Sequence, residues 1–472
     1  MQNSRPLVSK LIQFHGKQPY SLHVPGHKNG HLSHLPNEIK AALSFDYTEL
    51  EGLDDLHAPT DSIKLAEDLL TSLHNTYKSY FLVNGSTVGN LAMIYATCEP
   101  NDYVIIQRNC HKSIFNAITL RGAKPIYLTS EWDSHTKTTV GVCPKLLKQT
   151  VEKYNNIKVV VLTSPNYYGV EVKHLQELIA YCHTKNIIVL IDEAHGAHFG
   201  TIEGIPPSAL TYGADVVVQS AHKTLPAMTM GAFLHVNSKR INIEKIKLFL
   251  TMLQSSSPSY LIMASLDDAR YYKATYHKHD FTYFMEQRDA FIRSLEKNNR
   301  LTVITTDDPL KIMIRHQRMS GFALQTAMVR YHIYSELADN YQVLLVLPLL
   351  KEGVNYPFTR IAEAIQQAAE ITGKSYYQHD APVIVKPASS EPKYSVTEAL
   401  AAPSSYVSFN EAIGRIAAET VTPYPPGIPL LLAGELITEE VIASLKQLCQ
   451  QGAYFQSGKR IDENILCVMR EG

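Results

Sequence analysis

Seven short apolar runs constrain this chain more than any other feature: SYFLV (79–83), DYVIIQ (102–107), KPIYLT (124–129), IKVVVLT (157–163), NIIVLID (186–192), ADVVVQS (214–220) and GAFLHV (231–236). A strand with one wet face alternates polar and apolar residues, whereas these runs are apolar almost throughout, as strands buried on both faces must be. Segments of helical or loop length separate most of them, including LAMIYATC (91–98), HKSIFNAITLRG (111–122) and VKHLQELIAYCHTKN (172–186). Buried strands alternating with helices predict an α/β fold around a mainly parallel sheet. In such a sheet a ligand lies beyond the carboxyl ends of the strands, so the residues just after each run are the ones to inspect.

The rest of the chain is organised around that core. A stretch of 472 residues exceeds one compact core and accommodates two or three domains. Residues 1–60 read as an N-terminal segment contributing to the site, and residues 61–300 as the large domain. The latter opens on the amphipathic helix DSIKLAEDLLTSLHNTYK, with Asp61 as its cap. The segments KIMIRH, GFALQTAMVRYHI, YQVLLVLPL and TRIAEAIQQAAEITG place a smaller α/β unit at 301–372. Residues 373–404, rich in Pro and Ser, read as an extended connection, and 405–472 as a last unit.

Charge and cysteine usage exclude several classes of function. Lys plus Arg number 44 against 45 Asp plus Glu, a formal charge of −1, so no long-range field draws nucleic acid or an anionic membrane. No apolar stretch has the length of a membrane span, and MQNSRPLVSKLIQFHGK lacks the apolar core of a secretion signal, which points to a cytoplasmic protein. The six cysteines form no C-x-x-C pair, arguing against a zinc ribbon or a disulfide framework. Five of the 20 histidines (His15, His23, His27, His31 and His34) crowd the first segment. They lack paired Cys or Glu at zinc-like spacing, so they read as capping, packing or substrate contacts, with no metal expected.

Three motifs fall at predicted strand ends. In FLVNGSTVGN, Asn84-Gly85-Ser86-Thr87 leads from a strand into a helix. It suits either an ordinary cap or an anion held by backbone N–H groups and hydroxyls. In IIVLIDEAHGAHFG, Asp192 ends a central strand, where a carboxylate is costly without a cationic or protonated partner. In SAHKTLPAM, Ser220 and His222 supply phosphate donors beside Lys223, an amine that becomes a nucleophile when its pKa is lowered. Phosphate donors, a buried acid and a lysine together suit pyridoxal 5′-phosphate, whose ring takes up electrons when its nitrogen is kept protonated by an acid such as Asp192. His111, just past another strand, is placed to stack on that ring.

At these residues the sequence resembles the bacterial ornithine/lysine/arginine decarboxylases, short form, of the aspartate-aminotransferase-like fold (fold type I). The resemblance rests on HVPGHKNG (23–30), YTELEGLDDLHAPTDSI (47–63), NGSTVGN (84–90), RNCHKSIFNA (108–117), TSPNYYGV (163–170), DEAHGAH (192–198), SAHKTLPAMTMGAFLH (220–235) and AAETVTPYPPGIPLL (417–431). It implies a large domain of that fold with smaller C-terminal α/β domains, and pyridoxal phosphate as cofactor. Lys223 matches the Schiff-base lysine and Asp192 the partner of the pyridine nitrogen. Ser86, Thr87, Ser220 and His222 match phosphate contacts, His111 the ring-stacking position, and His195 a histidine at the cofactor's reactive face. His27 and Glu49 lie in motifs that come close to the active site.

The reaction implied is decarboxylation of a basic amino acid, arginine first and then lysine or ornithine, a step of polyamine biosynthesis. Lys223 and His195 are the candidate proton donors to Cα. A basic substrate also needs an acid at the far end of its pocket, for which Glu49, Asp54, Asp55 and Glu411 are candidates. A homodimer or higher homo-oligomer follows from the resemblance alone. Two readings compete: another reaction of the same cofactor, such as transamination with Arg315 or Arg415 holding the carboxylate, or aldol cleavage; and a cofactor-binding homologue without turnover.

Overall fold

The computed structural model describes residues 2–371, 388–424, 429–450 and 453–470. Each of the seven predicted strands forms, with ends within two residues of those read from the sequence. The fold is α/β with a mostly parallel central sheet. The chain divides into two compact units, Met1–Thr97 with Leu175–Lys278, and Cys98–His174 with His279–Gly472.

In the first unit the strand order is Lys78–Leu82, Ala232–Val236, Val216–Gln219, Ile188–Asp192. Val216–Gln219 and Ile188–Asp192 are parallel, and Ala232–Val236 runs antiparallel to both of its neighbours. Lys78–Leu82 therefore points the same way as the other two. The chain leaves Leu82, Asp192 and Gln219 at one end of the sheet, and Ala232 enters there, paired with Leu82. Val216, Val217 and Val218 are fully buried, as the absence of alternation required.

The helix Gly85–Thr97 lies close against these strands because position 89 has no side chain. A Cβ there would stand 2.7 Å from Leu82 Cδ1 and 2.8 Å from Val218 Cγ1. That approach fixes the first turn of the helix, with Ser86 and Thr87, at the carboxyl end of the sheet. Gly85 itself has φ +75° and donates its N–H to Met230 O at 2.8 Å, joining the helix start to the loop after Lys223.

The helix predicted from Asp61 is present as Ser62–His74, but Asp61 makes no side-chain cap; its carboxylate pairs with Lys10 at 2.5 Å. Buried Asp54 does the capping from outside the helix. Its Oδ1 accepts from the N–H groups of Asp55 (3.0 Å) and Thr60 (2.9 Å), and its Oδ2 from those of Asp61 (2.9 Å), Ile63 (2.9 Å) and Lys64 (3.3 Å). Tyr260 donates its hydroxyl to the Asp54 carbonyl. One carboxylate thus ties the 54–61 loop to the helix N-terminus. Asp54→Ala is expected to destabilise the protein by about 2–4 kcal/mol, because buried N–H groups lose a charged acceptor. A midpoint in urea unchanged from that of the parent would show the carboxylate to be dispensable.

In the second unit Tyr103–Gln107 lies between Ile157–Thr163 and Lys124–Leu128, parallel to both. Ser389–Ser390 adds to Lys124–Leu128 antiparallel. A separate antiparallel sheet runs Leu301–Thr305, Lys311–His316, Val343–Val346, Leu337–Ala338, accompanied by the helices Gly321–Val329 and Phe358–Ala369. Farther along, Ser404–Ser408 pairs with Ile465–Met469, and Phe409, Val421, Leu431, Ile442, Leu445 and Leu466 form one core with the helix Glu439–Gln450. Of the stretch expected as an extended connection, 373–387 lies outside the described residues; the described part carries the helix Val396–Ala401 with a reciprocal Ser395–Glu398 capping box. Residues 425–428 of the PYPPGIP motif also lie outside them.

Among the described residues no helix is long and apolar enough to cross a membrane, and no group of three His, Cys, Asp or Glu side chains is arranged to hold a metal.

Candidate active site

The sheet end of the first unit gathers most of the residues singled out in the sequence. Lys223 sits half-buried in a single helical turn, Ala221–Thr224, directly after the strand Val216–Gln219. Its Nζ is 2.9 Å from Nε2 of buried His195, which follows the neighbouring strand. An amine in contact with an imidazole has a proton donor and acceptor at hand, the arrangement that activates a lysine nucleophile.

Asp192 ends that neighbouring strand and is almost completely buried. Its Oδ2 accepts from Asn90 Nδ2 at 3.0 Å and its Oδ1 from the Ala194 N–H at 3.1 Å. Two donors aimed at its oxygens hold the carboxylate in place at the strand end, where it suits an N–H partner. Asn90 was not read from the sequence. The available signal was an amide on the inward face of an apolar helix, in the NGSTVGN motif already singled out.

Ser220 donates its hydroxyl to Ser86 Oγ at 2.8 Å, which brings together two of the predicted phosphate donors from separate elements. Thr87 is exposed on the same helical turn as Ser86. The first-turn N–H groups of a 13-residue helix add a positive end to this pair of hydroxyls. His222 is anchored to the loop that follows it. Both its backbone N–H (3.2 Å) and its Nδ1–H (2.9 Å) donate to Gly231 O, which leaves Nε2 as the ring atom for any further contact.

His27 accepts the Gly30 N–H on Nδ1 at 3.1 Å and donates from Nε2 to Asp46 at 3.1 Å, so its tautomer is fixed by a carboxylate partner that the sequence did not suggest. Glu49 is exposed in the same N-terminal segment.

The remaining predicted residues belong to the second unit. His111 caps the helix Lys112–Arg121, its Nδ1 accepting from the Ser113 N–H at 3.2 Å, so its ring orientation is set by the cap. Near it, Arg108 forms a two-pronged pair with Glu435, at 2.6 Å from each guanidinium nitrogen, and donates to Leu430 O at 3.0 Å. Leu430 belongs to the far C-terminal motif, which this guanidinium therefore ties to the loop after Tyr103–Gln107. Glu411 accepts from Ser408 N–H (3.0 Å) and Oγ (2.6 Å) in an exposed capping box. Those hydrogen bonds hold its carboxyl below the usual range.

Comparison with known proteins gives this arrangement a family. A model described as the Orn/Lys/Arg decarboxylase major domain matches residues 5–344, and one described as the C-terminal domain of the same group matches residues 374–456. The chain belongs to the Orn/Lys/Arg decarboxylase family. As a member of it, the protein is a decarboxylase, and enzymes of this family use pyridoxal phosphate.

The uncharacterized protein YaaO of Bacillus subtilis is 44% identical over 480 residues, covering 99% of this chain and 98% of its own. An arginine decarboxylase of the same organism is 29% identical over 488 residues, covering 100% and 99%. Among solved structures, the lysine decarboxylase LdcF of Francisella novicida superposes with a TM-score of 0.79 at 17% identity, over 99% of this chain and 81% of that one. That likeness establishes the shared fold, fold type I, in agreement with the architecture expected from the sequence.

Proposed function

We propose that this Orn/Lys/Arg-type decarboxylase binds pyridoxal phosphate and releases carbon dioxide from a basic amino acid, with arginine the first candidate and lysine and ornithine next. The observation that carries the reading is the Lys223–His195 contact beside a buried Asp192 held by two donors. The donor set fits the coenzyme: an amine for its aldehyde, a carboxylate for its ring nitrogen, and paired hydroxyls at a helix start for its phosphate. When bound, pyridoxal phosphate supplies a carbonyl that takes the substrate's α-amine and a ring that accepts the electron pair left by carbon dioxide.

The chain's own residues do the rest. Lys223 would take the coenzyme's aldehyde, and Asp192 would hold a proton at the pyridine nitrogen. Ser86, Thr87, Ser220, His222 and the first turn of Gly85–Thr97 would hold the phosphate. Lys223 or His195 returns a proton to Cα. For His111 the resemblance supports a place on the ring face, with its imidazole held by the helix cap. His27, paired with Asp46, and Glu49 are the substrate-side candidates in the N-terminal segment. Asp54, with its oxygens taken up by five N–H groups, is committed to the loop and leaves the substrate's cationic end to another acid. Arginine is favoured because relatives matching the whole chain are named arginine decarboxylase. A cytoplasmic homodimer or larger homo-oligomer completes the proposal.

The test is carbon dioxide and amine release from arginine, lysine and ornithine by purified protein reconstituted with pyridoxal phosphate, with absorbance recorded in parallel. Release from arginine above the other two is expected. Bound coenzyme with release only from lysine or ornithine would overturn the arginine assignment. Bound coenzyme with no release from any would overturn the choice of substrate class.

A further inference from the structure

The loop that carries His195 is fixed more heavily than a turn after a strand requires. Glu193 N–H donates to Val218 O at 2.9 Å, Gly196 N–H to Glu193 O at 2.9 Å, Ser220 N–H to Ala194 O at 3.3 Å, and Phe199 N–H to Gly196 O at 2.8 Å. Two residues beyond His195 a side chain from elsewhere takes over. Lys273, on the helix Tyr260–Ala274, donates from Nζ to Ala197 O at 2.9 Å and to Phe199 O at 2.8 Å. Without it two carbonyls of buried residues would lose a donor.

The start of the same loop is held by a buried carboxylate. Glu193 accepts from Ser208 Oγ (2.7 Å), the Ala209 N–H (2.7 Å) and Gln219 Nε2 (2.5 Å). Behind Gln219 the order of donors is set: Ser79 Oγ–H donates to His235 Nδ1 at 2.8 Å, and His235 Nε2–H to Gln219 Oε1 at 3.2 Å. Burial, assisted by the charge on Lys273, pushes His235 down to about 3, so its ring is neutral and offers one donor and one acceptor, as this chain needs. Burial likewise raises the Glu193 carboxyl and lowers Lys273, each opposed by the other's charge. Three donors converging on Glu193 suit the carboxylate, which makes Lys273 its counter-charge.

Burying two opposite charges is a poor means of gaining stability, since apolar residues of the same volume usually do as well. What this pair adds is definition of the backbone on both sides of His195. We infer that Lys273, with Glu193 as its counter-charge, is a positioning residue that fixes the 193–199 loop so that the His195 imidazole meets the Lys223 amine. The inference deepens the proposed function, because it assigns Lys273 a part in readying the same lysine.

A double-mutant cycle tests it without coenzyme. The reactivity of Lys223 toward acetic anhydride is followed across pH in the coenzyme-free protein by peptide mass spectrometry, for the parent, Lys273→Met, His195→Ala and the double variant. Lys273→Met is expected to move the Lys223 midpoint in the same direction as His195→Ala, by about 0.5–1 unit, a three- to ten-fold change in the neutral amine. In the His195→Ala background Lys273→Met should move it no further, and Lys273→Arg should restore the parent profile. A Lys223 profile unchanged in Lys273→Met, or shifts that add in the double variant, would overturn the inference even if thermal stability falls. If Lys273→Met does not accumulate as folded protein, Glu193→Gln, which removes the counter-charge with little change of shape, takes its place with the same expectations. Coenzyme uptake by the parent judges the proposed function separately, since the labelling result does not depend on it.

Discussion

Lys223→Ala protein mixed with pyridoxal phosphate is expected to lack the visible absorbance of lysine-bound coenzyme and to lose decarboxylation by about 10³-fold or more. The expectation follows from what surrounds the amine. Lys223 comes off the strand Val216–Gln219 in a single helical turn, and its Nζ meets His195 at 2.9 Å. Lys273 cannot replace it, because its Nζ is engaged by two carbonyls in the interior. Truncation to Ala removes the nucleophile without adding bulk, and the thermal midpoint of the coenzyme-free protein should change little because Lys223 is only half-buried. Lys223→Arg is the informative companion: it keeps a cation at the position but offers no nucleophilic amine, so it too should show no lysine-bound spectrum. A parent-like spectrum in either variant would mean that another lysine holds the coenzyme.

The sequence makes the strands legible because both faces of the sheet are buried, so each strand is a continuous apolar run that a wet strand does not imitate. The hairpin Ser130–Asp133 with Thr138–Val142 escaped that reading for the opposite reason. Its strands, SEWD and TTVGV, are short, mixed in polarity and paired only with each other, so they leave little trace of period two. The site was legible where its chemistry depends on residues adjacent in sequence, as in SAHK and DEAH. It was less so where a side chain works across the fold. Asn90 reaches Asp192 from another element, Lys273 lies 78 positions along from His195, and Asp54 caps a helix that begins eight residues later. Asp61 shows the limit of local rules: it stands where a cap should stand, yet the cap is supplied by Asp54. A three-dimensional acceptor with five donors outcompetes a local one, and no spacing rule reports that.

Asp192→Asn should separate coenzyme binding from turnover. The substitution preserves shape but removes the charge, and an amide cannot reproduce the present pattern. Asp192 accepts on both oxygens, from Asn90 Nδ2 and from the Ala194 N–H. An asparagine has one acceptor oxygen, so its own NH2 must face one of those donors. Placing the oxygen toward Ala194 sets two amide NH2 groups opposite each other. Placing it toward Asn90 leaves the Ala194 N–H in the interior without an acceptor, at a cost of about 1–3 kcal/mol. The coenzyme-free variant is therefore expected to unfold at a lower temperature than the parent. Coenzyme uptake should persist, because Lys223 and the Ser86–Ser220 pair are untouched, while decarboxylation falls by about 10²-fold or more as the proton at the ring nitrogen is no longer held. Asn90→Ala separates the two effects: it deletes one donor but keeps the charge, so its loss of activity should be much the smaller. Near-parent turnover in Asp192→Asn would remove the carboxylate from the mechanism, whereas equal losses in the two variants would assign the effect to the hydrogen bond rather than to the charge.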